Sequence, residues 1–185
     1  RRSVAVLPIH YPKEILTALD VLAVEMWGPP GAPRGDAAGR LQVVYNPSGI
    51  VTYATDASGA WTTQTIASNE VIYGGALTAG IALDPEGKVH VAYYDHSALE
   101  LRHATNASGS WVSQTIDTQG EVGLHLSIAS DGAGKLHVSY YDAANGDLKY
   151  ATNAPGPWTT EIVDSGGDVG VGTAVGLDAT QGVHI

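Results

Sequence analysis

The chain contains no cysteine and no phenylalanine, one methionine, and only 9 Lys+Arg among its 185 residues. Without cysteine it forms no disulfide, no zinc–thiolate centre, no thiol nucleophile and no cysteine-held iron–sulfur cluster. Set against 19 Asp+Glu, the few cations leave a net charge of −10. Such a balance argues against nucleic acid as a partner, because binding it depends on Lys and Arg neutralising phosphates. It argues equally against attraction to anionic lipid surfaces. Long apolar runs are missing too. No stretch reaches the roughly 18 residues that a bilayer-spanning helix needs, so membrane insertion is not expected.

Glycine, by contrast, is abundant at 23 residues, and Gly, Ser, Thr and Asn dominate after residue 40. The charge divides at the same place. Residues 1–40 carry five basic and four acidic groups, whereas residues 41–185 carry four basic and fifteen acidic ones. Two segments of different character meet there: an N-terminal helix–strand segment with a linker over 1–40, and a second region over 41–185.

The second region repeats. Gly87-Lys88-Val89-His90-Val91-Ala92-Tyr93-Tyr94-Asp95 returns 47 residues later as Gly134-Lys135-Leu136-His137-Val138-Ser139-Tyr140-Tyr141-Asp142, and begins again at Gly182-Val183-His184. A weaker copy runs from Gly39 to Asn46. Tyr53-Ala54-Thr55-Asp56, His103-Ala104-Thr105-Asn106 and Tyr150-Ala151-Thr152-Asn153 track the first motif, each followed by a Gly and then by Trp61, Trp111 or Trp158. In the clearest period the pattern predicts strands A, B, C and D over 124–130, 135–141, 147–152 and 158–163. Strand B alternates in two rows, Leu136/Val138/Tyr140 and His137/Ser139/Tyr141, and Gly/Asn-rich turns separate the strands. Four short strands per period of 40–50 residues predict an all-β fold, the four-stranded antiparallel blades of a β-propeller. A β-prism or a solenoid stays open as an alternative.

Blade counting gives about three blades, a partial ring. From residue 41 the strands run B-C-D, A-B-C-D, A-B-C-D, A and a stub of B. Either the sequence is part of a longer chain that supplies the remaining blades, or copies of the chain complete a ring together. On the second reading, the last A strand (171–177) fills the missing inner place of the first blade in a partner. A chain made alone is then expected to pair or aggregate, since open blade faces expose apolar area.

The recurring "G-K-x-H-V-x-Y-Y-D", "L-K-Y-A-T-N" and "G-x-W" patterns resemble bacterial extracellular propeller repeats over residues 36–185. The resemblance implies an extracellular or cell-surface location. The turns at Asp84, Asp131 and Asp178 are loosely similar to the aspartate-box turn of sialidase-type propellers, without its aromatic ending. In the first segment, Pro12 to Leu19 reads as a short helix and residues 21–27 as a strand ending in Trp27-Gly28. This stretch (8–35) resembles the start of 2-hydroxyacyl-CoA dehydratase subunits. That family works through cysteine-held clusters, so no active residue carries over.

Candidate chemistry is sparse. His90, His137 and His184 share one repeat position, and recurrence once per blade fits packing better than catalysis. Trp61, Trp111 and Trp158 read as seals between blades, with sugar stacking as the functional alternative. No G-x-S-x-G, H-E-x-x-H or phosphate-loop motif occurs. Asn106-Ala107-Ser108 is a formal glycosylation sequon.

Topology is more informative. The B–C and D–A connections emerge on one face and carry Asp95, Asp142 and Asp147 (B–C) with Asp117, Glu121, Asp164 and Asp168 (D–A). These seven carboxylates are the candidate ligand-binding residues, and oxygen donors of this kind suit Ca²⁺ or a polyhydroxylated or cationic ligand. The expected function is a non-enzymatic scaffold that binds a glycan or a protein. The alternative is a propeller glycosidase or lyase using loop carboxylates as acid and base. Symmetry separates them: an enzyme needs carboxylates that break the repeat, whereas a repeat-based binder shows equivalent sites from blade to blade.

Overall fold

The computed structural model describes residues 34–36, 38–45, 50–68, 79–154 and 156–185. The helix and strand predicted within 1–33 lie outside them. Among the described residues every regular element is a strand. The first sheet holds β1 (Arg34–Gly35), β2 (Leu41–Tyr45), β3 (Val51–Thr55) and β4 (Thr62–Ala67). The second holds β5 (Ala79–Leu83), β6 (Val89–Asp95), β7 (Glu100–Thr105) and β8 (Val112–Asp117). The third holds β9 (Val122–Ser130), β10 (Leu136–Asp142), β11 (Asp147–Thr152) and β12 (Thr159–Asp164). Each sheet is antiparallel in chain order, and β13 (Gly176–Leu177) pairs with β14 (Val183–His184) as a short hairpin. The result is three blades of a partial β-propeller and the beginning of a fourth.

Two expectations about the ends are corrected. The first blade does not lack its inner strand, because Arg34 pairs with Gln42 and Gly35 with Leu41. This sheet therefore begins upstream of residue 41. The last A strand is not unpartnered either. Only Gly176 and Leu177 of the 171–177 stretch are strand, and they pair with His184 and Val183. The exchange of that strand into a partner's first blade has no vacant place to fill.

One local device makes all four A–B hairpins. The Oδ1 of Asp36 accepts the N–H groups of Ala38 and Arg40 at 2.9 and 3.0 Å. Asp84 does the same with Glu86 and Lys88, Asp131 with Ala133 and Lys135, and Asp178 with Thr180 and Gly182. A single carboxylate thus satisfies two turn amides that would otherwise lack partners. That explains why β1 forms at all: the Asp36 turn folds two residues back onto β2 although they carry no alternating pattern.

Blade-to-blade packing follows from the two rows of each B strand. All seven residues of β6 are buried. Val89, Val91 and Tyr93 join Val51 and Tyr53 of the first blade in one apolar cluster. Ala92, on the opposite row, joins Leu126, Ile128, Leu136, Val138 and Tyr140 of the third blade in another. The D–A connection is drawn in tightly at glycines one period apart. Gly123 has φ 106°, and a Cβ there would lie 3.1 Å from the Leu101 Cα. Gly170 has φ 101°, with the corresponding distance to the Leu148 Cα at 2.9 Å. Neither conformation nor space suits a side chain.

A tryptophan stands just before each D strand, and in the second and third blades its ring seals the blade onto the one before it. Trp111 meets the edge of Tyr53 at 5.2 Å and donates its indole N–H to Gln64 Oε1 at 2.8 Å. Trp158 lies 5.6 Å from His103 and packs against the second apolar cluster. Trp61, in the first blade, is 39% exposed. Replacing Trp158 by Ala is expected to cost about 2–4 kcal/mol of stability, below the full value for a buried Trp because its ring is only partly covered. Trp61→Ala should cost less than about 1 kcal/mol. Urea unfolding of both variants checks this, and equal losses would refute the seal.

Candidate functional site

The seven carboxylates of the B–C and D–A face divide into two groups. Asp95 and Asp142, at equivalent ends of β6 and β10, are buried. They are closed into their own turns. Asp142 Oδ1 accepts the N–H groups of Ala144 (3.1 Å) and Asn145 (3.2 Å), and its Oδ2 accepts from Asn145 Nδ2 at 3.0 Å. Asp95 Oδ1 accepts from Ser97 Oγ at 2.7 Å, and Arg102 Nη1 donates to Oδ2 at 2.9 Å. Burial alone would raise the Asp95 pKa, but the Ser97 and Arg102 bonds outweigh it and hold the carboxyl below its usual range. Asp147 is buried directly opposite Asp142 in the β10–β11 register.

Asp117 ends β8 of the second blade and reaches into the third. Its Oδ2 accepts from Tyr140 Oη at 2.7 Å and from Lys149 Nζ at 2.5 Å, while Oδ1 accepts the Gln119 N–H at 3.0 Å. The Lys149 ammonium also lies 3.8 Å from Asp142 Oδ2 and 5.7 Å from the Tyr140 ring centroid. Both side chains of the Asp117–Lys149 pair are almost wholly buried, with 2% and 6% of their surface exposed. Burial pushes the Asp117 pKa up, and the stronger pull of Lys149 and Tyr140 takes it below normal. Tyr140 is raised by its own burial and by the same hydrogen bond. This is an internal fastener between blades and is closed to a ligand.

The remaining carboxylates form the accessible rim. Tyr94 Oη donates to Glu121 Oε1 at 3.0 Å, and Tyr141 Oη donates to Asp168 Oδ1 at 2.6 Å. Each pair sits where a D–A loop folds over the end of strand B. Backbone bonds hold the loops together, from Ala143 N–H to the Glu121 carbonyl (2.8 Å) and from Val169 N–H to the Gly146 carbonyl (2.9 Å). Asp164 is exposed and accepts the Gly166 N–H at 2.9 Å. Burial and the bond to Glu121 raise the Tyr94 pKa, and the bond to Asp168 raises that of Tyr141.

Beside each tyrosine stands a histidine. His96 meets Tyr94 edge-on at 5.8 Å, and His125 meets Tyr141 at 6.1 Å. His125 was absent from the sequence-derived rim, and its place on strand A gave no hint of exposure. What brings it there is its left-handed backbone (φ 49°), beside an irregularity in the β9–β10 register. Leu99 is also left-handed (φ 60°), at the repeat position where Gly146 stands in the next blade. Among the described residues no three His, Asp or Glu side chains converge as metal ligands. Four of the seven proposed oxygen donors are buried, and Asp95, Asp117 and Asp142 already accept from protein groups.

No protein-family model matches the sequence, and no curated protein matches it. Solved structures do share its fold. One is a fucose lectin from Kordia zhangzhouensis in complex with methyl-fucoside, at 15% identity and a TM-score of 0.50, covering 70% of this chain and 95% of that one. The Aleuria aurantia lectin bound to alpha-methyl-L-fucoside aligns at 18% identity and a TM-score of 0.56, covering 77% of this chain and 47% of the lectin. NanB with Optactamide aligns at 16% identity and a TM-score of 0.59, covering 85% of this chain and 27% of that one. This chain thus spans nearly all of one lectin but less than half of the other two proteins. At these identities the likeness shows the propeller fold.

The division of the carboxylates makes a direct prediction. Asp117→Ala, which leaves the Lys149 ammonium buried without its partner, should destabilise the chain by about 3–5 kcal/mol. Asp164→Ala should stay within about 0.5 kcal/mol of the parent. Denaturant midpoints of the two variants measure both, and a mild Asp117 variant would contradict the fastener.

Proposed function

We propose that this chain is a carbohydrate-binding propeller module without catalytic activity, acting outside the cell or at its surface. One observation carries the reading: a tyrosine–carboxylate pair recurs with the fold where each D–A loop meets the end of strand B, more open at Tyr141–Asp168 than at the buried Tyr94. Tyr94–Glu121 and Tyr141–Asp168 are related by the same 47 residues as the strands. The rim carboxylates Glu121 and Asp168 likewise stand 47 residues apart. A glycosidase requires two carboxyl groups in unlike environments flanking one bond, one protonated and one not. Repeated like pairs supply instead the same site more than once.

Each site offers what a sugar ring uses. The carboxylate accepts hydrogen bonds from vicinal hydroxyls and the phenol oxygen can accept another, and at the more open Tyr141–Asp168 pair the Tyr141 and His125 rings add apolar surface for C–H groups. Lectins in complex with fucosides share the fold, which supports glycans over proteins as the ligand class. Weak single-site affinity, raised by repetition, is the expected mode.

A glycan array followed by titration calorimetry tests this. Binding to a subset of glycans without hydrolysis is expected. Tyr141→Phe and Asp168→Asn should each weaken the binding about tenfold, the scale of a lost hydrogen bond to a charged group, with unfolding midpoints little changed. Release of a cleaved sugar, or unaltered binding by both variants, would overturn the reading.

A further inference from the structure

Two facing positions in the packed interior vary from blade to blade. At the seal that each blade offers to the next tryptophan, the first and third blades carry Tyr53 and Tyr150, whereas the second carries His103. The residue bonded to it from strand B is Gln42, His137 and His90 in the respective blades. So the first blade pairs Gln42 with Tyr53, the third pairs His137 with Tyr150 (2.5 Å), and the second pairs two imidazoles. His90 Nδ1 lies 3.0 Å from His103 Nε2, the rings are stacked with centroids 5.2 Å apart, and both side chains are buried.

Hydrogen bonds run through the pair in one direction. The Gln114 amide nitrogen donates to His103 Nδ1 (3.3 Å), which leaves the His103 Nε2–H to donate to His90 Nδ1. His90 Nε2–H then points at Asp84 Oδ2, 3.4 Å away. All four ring nitrogens are engaged with both imidazoles neutral. A proton added at His90 Nδ1 faces the His103 N–H, and one added at His103 Nδ1 faces the Gln114 amide N–H, so either forces the Gln114 amide to turn over. A second proton puts like charges about 3 Å apart. The charged groups acting on His90 are Asp84 and Lys88 of its own turn, and His90 itself acts on His103. Gln114 from β8 and Trp158 from the third blade bring no charge.

We propose that the His90–His103 pair is an acid-sensitive latch: its rings stay neutral while the seam between the second and third blades is closed and take up protons once it opens, so acid below neutral pH favours loosening of that seam. Trp158 packs on His103, so the disturbance falls on that seam. The electrostatics agree in sign. Burial, with His90 adding to it, pushes His103 down to about 3, and burial lowers His90 against the pull of Asp84. In the unfolded chain both titrate near 6.5. The contribution to stability is therefore complete above about pH 6.5 and is lost as pH falls from there toward 3. The lowered carboxylates (Asp36, Asp84, Asp95, Asp117, Asp131, Asp178) act below their ordinary 3.8, outside the upper part of this window.

The test is urea unfolding of the whole chain at pH 7.5, 6.5, 5.5 and 5, beside His103→Tyr, which installs the residue of the other blades. Between pH 6.5 and 5 the parent's folded-to-unfolded ratio should fall about tenfold or more, the variant's by much less. If His103→Tyr does not fold, His90→Gln copies the first blade's pairing and serves the same comparison. Hydrogen exchange at pH 5.5 should accelerate at β7 and at the Trp158 indole before it does so at β2 and β3. A flat parent profile, an equal slope in the folded variant, or uniform acceleration across the three sheets would each overturn the latch.

Discussion

A β-sheet with apolar side chains on both faces is stable only if both faces are covered, and β6 is the strand on which this constraint falls hardest. Its residues are buried from Val89 to Asp95, one row against the first blade and the other against the third. No single blade of this kind holds together alone, because roughly half its apolar surface would stay wet. Neighbouring blades are therefore part of each blade's own core. The outer D strands escape the constraint, and β12 is exposed along its whole length.

Covering both faces has an electrostatic consequence. Turns and strand ends that carry carboxylates are drawn between blades, where a charge must be paired or hydrogen-bonded. Asp117 meets this demand with Lys149 and Tyr140, and Asp95 with Arg102 and Ser97. Two of the four basic residues after position 40 serve these carboxylates, Arg102 with Asp95 and Lys149 with Asp117, while Lys88 pairs with Glu86 at the surface. The excess negative charge is left to the loops. Few of the acidic groups on this face are consequently left open to solvent, Glu121, Asp164 and Asp168 among the seven carboxylates.

Departures from the repeat are concentrated on particular positions. Gln181 takes a left-handed turn position (φ 67°) that glycine holds at 39, 87 and 134, and Leu99 takes one that Gly146 holds. Each such exchange carries a backbone cost of about 1–2 kcal/mol. His103 differs in kind: it adds a titratable ring to a buried contact that elsewhere is made by tyrosine. The first two alter the surface of one blade, whereas the third alters how that blade answers to protons.

Strands B, C and D and the turns between them were readable from the sequence. Their period-2 alternation and their Asp/Asn/Gly turns are decided by hydrogen bonds and φ angles within a few neighbouring residues. In the third blade, β10 to β12 differ from the predicted strands by a residue at most at each end. The two-residue β1 was not readable, since its formation rests on the Asp36 turn and on the template of β2 rather than on any pattern of its own. The fate of the carboxylates was not readable either. Asp117 and Asp164 stand at the same repeat position, yet one is buried against Lys149 and the other is exposed. What separates them is the strand-C cation of the next sheet, Lys149, which meets Asp117. Partners 32 residues apart on adjacent sheets are chosen by how those sheets stack, and that stacking is a property of the assembled chain and not of any local stretch of it.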